Sequence, residues 1–146
     1  MAISTPIGDS LVKEPDLFNI AGVKMGGNIC DLSSRHCKPC EGGTPPLAGE
    51  EIDRLLGALP GWELQDGSIV RRFEFRNFYR TMAFVNAVAW IAHMEDHHPD
   101  LEVSYGVCRV SYTTHAIGGL SENDFICAAK VGRLIQVEGN PRTKGG

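Results

Sequence analysis

The sequence predicts an α+β domain in which three helices pack on one face of a four-stranded antiparallel sheet, in the order α-β-β-α-β-β-α. Three observations lead to this prediction. Segments with apolar residues at helical spacing alternate along the chain with pairs of strand-like segments. The dipeptide Asp66-Gly67 joins the first pair and is typical of a tight hairpin turn. Glycine and proline residues separate the remaining elements.

The first half of the predicted domain is a helix followed by a hairpin. Four apolar residues at helical spacing define the helix, which begins near Leu47: Ile52, Leu55, Leu56 and Leu59. Pro60-Gly61 ends it. The strands are predicted at residues 62–65 and 68–76, and in the second strand apolar and charged residues alternate as in a half-buried antiparallel strand.

The second half is predicted as helix, two strands and helix. The long helix covers about residues 77–94 and ends before Pro99, because a residue preceding proline avoids helical geometry. Strands follow at about 102–105 and 107–114. The last helix begins at Ser121, with Asp124 three residues later as a capping box.

The predicted domain, residues 47–138, lies between two segments of different composition. Residues 1–46 are rich in glycine and proline and predict an extended or partly disordered arm, with a short helical turn considered at 15–23. Residues 139–146 predict a polar tail.

Composition excludes several classes of function. A net charge of -4 and a pI near 5.7 disfavour nucleic acid as a partner. No apolar run approaches the roughly 20 residues that span a bilayer, and the first 30 residues lack the features of a signal or transit peptide. We therefore expect no membrane partner and a cytoplasmic location. Five cysteines without a secretory signal do not indicate a disulfide framework.

Histidines dominate the candidate site. Four of the five histidines lie within 23 residues: His93, His97, His98 and His115. A metal site is one interpretation, because His93 and His97 are four residues apart, although Met94 occupies the glutamate position of the His-Glu-x-x-His protease motif. Structural or surface histidines are a second interpretation. Acid and base catalysts lining a pocket are the third, since histidine exchanges protons near neutral pH.

The spacing of these residues resembles that of the pterin-4a-carbinolamine dehydratase family. The resemblance covers about residues 47–137 and rests on these positions: Pro60-Gly61-Trp62, Phe73-Glu74-Phe75, His97-His98-Pro99, Tyr105, Thr114-His115 and the run from Gly119 to Asp124. The segment 37–43 is similar to family forms with an N-terminal extension. Three positions depart from the family's common residues: His93 replaces Glu, Asn123 replaces Arg, and Leu101 replaces Trp.

The resemblance implies an enzyme that dehydrates 4a-hydroxytetrahydrobiopterin to quinonoid dihydrobiopterin, the recycling step after aromatic amino-acid hydroxylation. It implies His97, His98 and His115 as catalytic residues, and no metal or other cofactor. Four residues are the implied substrate-binding set: His98, Pro99, Asp124 and Asp96. Under this interpretation His97 and His115 transfer protons, His98 mainly holds the pterin, and Asp124 orients a histidine or meets the pterin edge while it also caps the helix.

The resemblance also implies a homodimer or homotetramer. Two other functions remain open: a non-catalytic dimerisation or coactivator module, and a dehydratase for another pterin such as a molybdopterin-related compound. We expect Glu95 and Asp96 on a solvated helix end and His93 at the pocket rim or in solvent. Cys37 and Cys40 are half of a zinc knuckle, but we favour a surface loop with reduced thiols.

Overall fold

The computed structural model describes residues 29–136. The predicted turn at 15–23 and the predicted tail at 139–146 lie outside these residues. The elements in chain order are α1 (Ile29–Ser34), α2 (Gly49–Gly57), β1 (Glu63–Gln65), β2 (Ser68–Glu74), α3 (Phe78–Glu95), β3 (Asp100–Val103), β4 (Val107–Tyr112), a short 3-10 helix (His115–Ile117) and α4 (Glu122–Gln136). Among the described helices, none combines the length and apolar character that a bilayer crossing requires.

The four strands form one antiparallel sheet in the order β1-β2-β4-β3. Asp66 and Gly67 connect β1 to β2 with φ angles of 50° and 78°, the left-handed pair that a two-residue hairpin turn requires. The long pairing of β2 with β4 places Ile69 opposite Tyr112 and Phe73 opposite Cys108. The predicted four-stranded antiparallel sheet is confirmed.

One hydrophobic core lies against a single face of the sheet. The strand residues that belong to this core are Ile69, Phe73, Cys108, Val110 and Tyr112. They share a core cluster with Leu55 of α2, Phe84 and Val88 of α3, and Phe125 of α4. Alternate strand residues such as Arg72 and Arg109 point to the opposite face, because successive side chains of a strand alternate. The helices therefore cover one face, as the sequence predicts.

Helix α3 carries the chain from the far end of the sheet to the candidate site. The Asn77 side chain caps its start by accepting a hydrogen bond from the Arg80 N–H at 2.9 Å. At its end, Asp96 adopts a left-handed conformation with a φ of 49°. The His97 N–H then bonds to the Ala92 carbonyl at 3.1 Å. This terminal turn fixes the direction in which His97 leaves the helix.

The predicted arm differs from the structure in its last part. Residues 29–34 form α1, which packs on α4 and buries Leu32 to 1% exposure. Arg35 forms an ion pair with Glu122 at the start of α4. A six-residue helix has no apolar periodicity to detect, and its burial depends on contacts about 90 residues away in sequence. The region from residue 29 onward is therefore folded against the domain.

The start of α4 follows half of the predicted capping box. The Asp124 carboxylate accepts the Ser121 N–H at 2.9 Å, as in a capping box. The Ser121 hydroxyl, however, pairs with the Thr114 hydroxyl at 2.7 Å instead of capping the helix. The isolated bridge between Thr114 and Gly119 brings this segment beside the end of β4. The helix start and the strand end thus share one hydrogen-bond network.

Candidate active site

A cavity of about 580 Å³ lies where the end of α3, the end of β4 and the start of α4 meet. Its volume lies in the range of small-molecule sites. The catalytic residues predicted from the sequence, His97, His98 and His115, all line it, as does Asp96. The three histidines are therefore gathered at one cavity although they come from separate elements.

His97 is the histidine that the protein holds most firmly. Its Nε2 lies 2.6 Å from the Asp124 Oδ1, and its side chain is only 13% exposed. Its ring stacks on Tyr112 with centroids 5.8 Å apart and planes 12° from parallel. Together, the hydrogen bond, the stacking and the helix-end geometry restrict the His97 ring to one orientation.

Asp124 is buried behind His97. Its side chain is 0% exposed, and Oδ2 accepts hydrogen bonds from the Thr114 hydroxyl at 2.8 Å and the Ser121 N–H at 2.9 Å. Carboxylate oxygens accept hydrogen bonds, so His97 is the donor in its contact with Oδ1. Nε2 of His97 therefore carries the proton in this contact. Nδ1 of a neutral His97 is then the basic nitrogen.

His98 and His115 differ from His97 because both are exposed. The nearest polar contact of the His98 ring is a long one, from Nδ1 to the Pro99 carbonyl at 3.4 Å. His115 begins the 3-10 helix directly after the bridged residue Thr114. These two rings have open space around them, so a ligand can select their orientation.

Two of the predicted substrate-binding residues do not line the cavity. Pro99 and Asp124 lie outside its lining, and Asp124 contacts two residues that do line it, His97 and Thr114. The contact with Nε2 of His97 fits one of the two roles expected for Asp124, the orientation of a histidine. His93 is exposed and outside the lining, with its ring 5.4 Å from Trp90.

A segment that the sequence placed in the arm forms another wall of the cavity. We call residues His36–Cys40 the strap, and all five of them line the cavity. The strap is held by two residues that sequence reasoning did not assign to the site, Glu95 and Asn123. Only contacts distant in sequence reveal this role, because the strap residues that these two bind lie 58 and 85 positions earlier in the chain.

The expectation that Glu95 lies on a solvated helix end is wrong. Its side chain is 4% exposed and accepts hydrogen bonds from the Cys37 N–H at 2.8 Å, the Lys130 ammonium at 2.8 Å and the His36 ring at 3.1 Å. Burial opposes ionisation of this carboxyl, but the hydrogen bonds from Lys130, Cys37 and His36, with the Lys130 charge, outweigh it and lower its pKa to about 2. Glu95 is therefore a buried anion.

Asn123 pairs with the backbone of the strap through both ends of its amide. Its Oδ1 accepts the Lys38 N–H at 3.0 Å, and its Nδ2 donates to the Lys38 carbonyl. The same Nδ2 lies 3.3 Å from the Cys40 sulfur. The residue that departs from the common arginine of the family thus fixes the strap.

The strap cysteines are not simply a surface pair. The Cys37 sulfur lies 3.6 Å from that of Cys127, a fully buried residue of α4. The hydrogen bond with Cys37, together with burial, raises the pKa of Cys127, so its thiol stays protonated. Within residues 29–136, no group of three or more metal-binding side chains has the geometry to hold a metal ion.

Comparison with known proteins places this geometry in a family. A sequence model of the family described as "Pterin 4 alpha carbinolamine dehydratase" matches residues 45–134. The chain belongs to the pterin-4a-carbinolamine dehydratase family. A relative from Nitrosomonas eutropha is 68% identical over 109 residues, which cover 74% of this chain and 96% of the relative. One from Nitrosomonas europaea is 64% identical over 110 residues, covering 75% and 97%. Both bear the name "Putative pterin-4-alpha-carbinolamine dehydratase".

A solved structure supports the same placement within the pterin-4a-carbinolamine dehydratase family. The crystal structure of a transcriptional coactivator/pterin dehydratase from Brucella melitensis matches with a TM-score of 0.59 and 32% identity, and covers 61% of this chain and 97% of that one. The match to the family model begins at residue 45, so the strap lies outside that model. The histidines and Asp124 lie inside it.

Proposed function

We propose that this protein dehydrates 4a-hydroxytetrahydrobiopterin to quinonoid dihydrobiopterin and water by histidine acid-base catalysis. The observation that carries the proposal is the convergence of His97, His98 and His115 on one cavity, with His97 fixed by the buried Asp124. Family membership supplies the substrate class, a reduced pterin hydroxylated at C4a.

The reaction needs two proton transfers and no net oxidation. The bond from C4a to its hydroxyl breaks, and a proton delivered to that oxygen makes water. A second proton leaves the adjacent ring nitrogen, whose electron pair forms the new double bond to C4a. Each transfer assisted by a positioned group contributes roughly 10²- to 10⁴-fold.

In the proposed division of roles, His97 accepts the ring proton and His115 donates a proton to the departing hydroxyl. Nδ1 of His97 suits the first role because Asp124 occupies Nε2. His115 and the substrate-binding His98 are exposed and take their orientation from the ligand. Asp124 is a positioning residue, because it acts on the substrate through His97.

A coupled assay tests the proposal. An aromatic amino-acid hydroxylase generates the 4a-hydroxytetrahydropterin, and its absorbance decay is followed with and without the protein, in the presence of a chelator. We expect His97→Ala to lower turnover by roughly 10²-fold or more. His93→Ala is the matched control, because this histidine is exposed and lies outside the cavity.

Equal turnover by the His97→Ala and His93→Ala proteins would contradict the proposed catalytic role of His97. No acceleration by the folded wild-type protein would exclude this substrate. The same assay with a 4a-hydroxylated pterin carrying a different side chain would then test the wider substrate class.

A further inference from the structure

The strap closes one side of the cavity but lies outside the residues that the family model matches. It contains no helix or strand, and Lys38 and Pro39 are exposed. A segment of this kind keeps a fixed position only when other parts of the protein hold it. Its hydrogen bonds to the domain are therefore the features that decide whether the cavity keeps this wall.

Two polar latches hold the strap. At one end the buried Glu95 carboxylate binds the Cys37 N–H and the His36 ring. At the other, the Asn123 amide binds the N–H and the carbonyl of Lys38. The Cys37 sulfur also approaches the Asn123 carbonyl at 3.7 Å.

The latches belong to the same chain segments as the acid-base residues. Glu95 precedes His97 by two residues at the end of α3, and Asn123 directly precedes Asp124 in α4. Cys127, which contacts Cys37, also lies 3.9 Å from the His97 carbonyl. Neighbouring residues of α3 and α4 therefore hold the strap and His97 through different side chains: Glu95 and Asn123 hold the strap, and Asp124 holds His97.

We propose that the strap is a pterin-binding wall and that Asn123 is a positioning residue that keeps it closed. This inference rests on the proposed function, because it takes a reduced pterin as the ligand. A ligand that binds only when the strap is docked loses apparent affinity in proportion to the docked fraction. Removing the Asn123 amide removes its two hydrogen bonds to Lys38. Each lost bond shifts the equilibrium between the docked and the undocked strap by about fivefold toward the undocked state.

The test uses the full chain and 7,8-dihydrobiopterin, a reduced pterin that lacks the 4a-hydroxyl and does not react. We expect Asn123→Ala to raise its dissociation constant by up to about 25-fold, the product of the two fivefold shifts. KM in the coupled assay should rise by the same factor, while kcat changes less than about threefold, because the histidines are untouched. Asn77→Ala is the matched control: it removes an asparagine cap at the opposite end of α3 and should leave the dissociation constant unchanged.

Lys38 offers a second pair of variants at an exposed position. Lys38→Pro removes the N–H that Asn123 accepts, whereas Lys38→Ala keeps it. We expect the proline variant to bind 7,8-dihydrobiopterin several-fold more weakly than the alanine variant. Equal affinity of the two variants would contradict the proposed role of the hydrogen bond between Lys38 and Asn123.

The rate of thiol labelling measures how often the strap leaves the domain, and this measurement does not depend on enzymatic activity. Alkylation of Cys37 and Cys40, resolved by mass spectrometry, should be faster in Asn123→Ala and slower in wild type with bound 7,8-dihydrobiopterin. If wild type binds the pterin but Asn123→Ala binds it equally well and the thiols are not protected, the strap proposal fails and the proposed function stands. If wild type does not bind 7,8-dihydrobiopterin, the strap proposal fails, and only the absence of acceleration in the coupled assay overturns the proposed function.

Discussion

Replacing Glu95 by glutamine is the substitution for which the structure gives the clearest magnitude. The change keeps the shape of the side chain and removes its charge. Glutamine can still accept the Cys37 N–H, but the Lys130 ammonium, whose side chain is 17% exposed, loses its counter-charge. Removing one partner of a buried ion pair costs more stability than the pair itself contributes.

The pKa of Glu95 sets the size of the effect. Lowering it from 4.5 to about 2 on folding corresponds to about 3 kcal/mol of stability at neutral pH. We therefore expect Glu95→Gln to lower the free energy of unfolding by about 3 kcal/mol. For a chain of 146 residues this corresponds to a decrease in Tm of about 10 °C.

The effect has a defined pH dependence. Because the folded-state pKa lies below the unfolded value, the ionised carboxylate stabilises the protein above about pH 4.5 and this stabilisation disappears as the pH falls toward 2. The difference between wild type and Glu95→Gln should therefore shrink over this window, to less than half at about pH 3. The glutamine protein has no proton to bind at this position.

Urea denaturation followed by circular dichroism, at neutral pH and at about pH 3, measures these differences. Glu102→Gln is the matched control, because Glu102 also pairs with a basic residue, Arg109, but is 73% exposed. An exposed pair of this kind contributes about 1 kcal/mol or less. A Glu95→Gln protein as stable as the Glu102→Gln protein, or an unchanged difference at low pH, would refute the buried-anion interpretation.

Two further substitutions test the geometry of the site and the fold. Asp124→Asn leaves too few acceptors for His97, Thr114 and Ser121. We therefore expect kcat in the coupled assay to fall by about 10²-fold and the free energy of unfolding to fall by about 1–3 kcal/mol. A wild-type kcat would contradict the proposed positioning of His97. Gly106→Ala places a Cβ 2.7 Å from the Phe75 carbonyl oxygen, which requires a backbone shift. Urea denaturation should show that the free energy of unfolding falls by about 1–3 kcal/mol. Wild-type stability would contradict this close approach.

Local signals made most of the fold predictable. The Asp66-Gly67 turn depends on backbone angles that these two residues adopt readily, and the sequence alone indicates it. The last helix begins at Glu122, directly after Ser121, so Ser121 occupies the predicted N-cap position although its hydroxyl pairs with Thr114. Each of these features is decided within a few residues of the chain.

The candidate site was predictable only in part. The spacing and resemblance pointed to His97, His98, His115 and Asp96, which do line the cavity. The strap and its latches depend on contacts between residues 58 and 85 positions apart, from Cys37 to Glu95 and from Lys38 to Asn123. No periodicity or short motif records such a contact.

The different constraints on the three histidines suit them to different tasks. His97 is fixed before any ligand arrives, so its basic nitrogen can act without further reorganisation. His98 and His115 are exposed, and a ligand must order them, which uses part of its binding free energy. A docked strap reduces this cost, because a cavity with a fixed wall leaves the ligand fewer positions to sample. The affinity for a pterin should therefore depend on the strap latches, whereas the chemical step should depend on the pairing of Asp124 with His97.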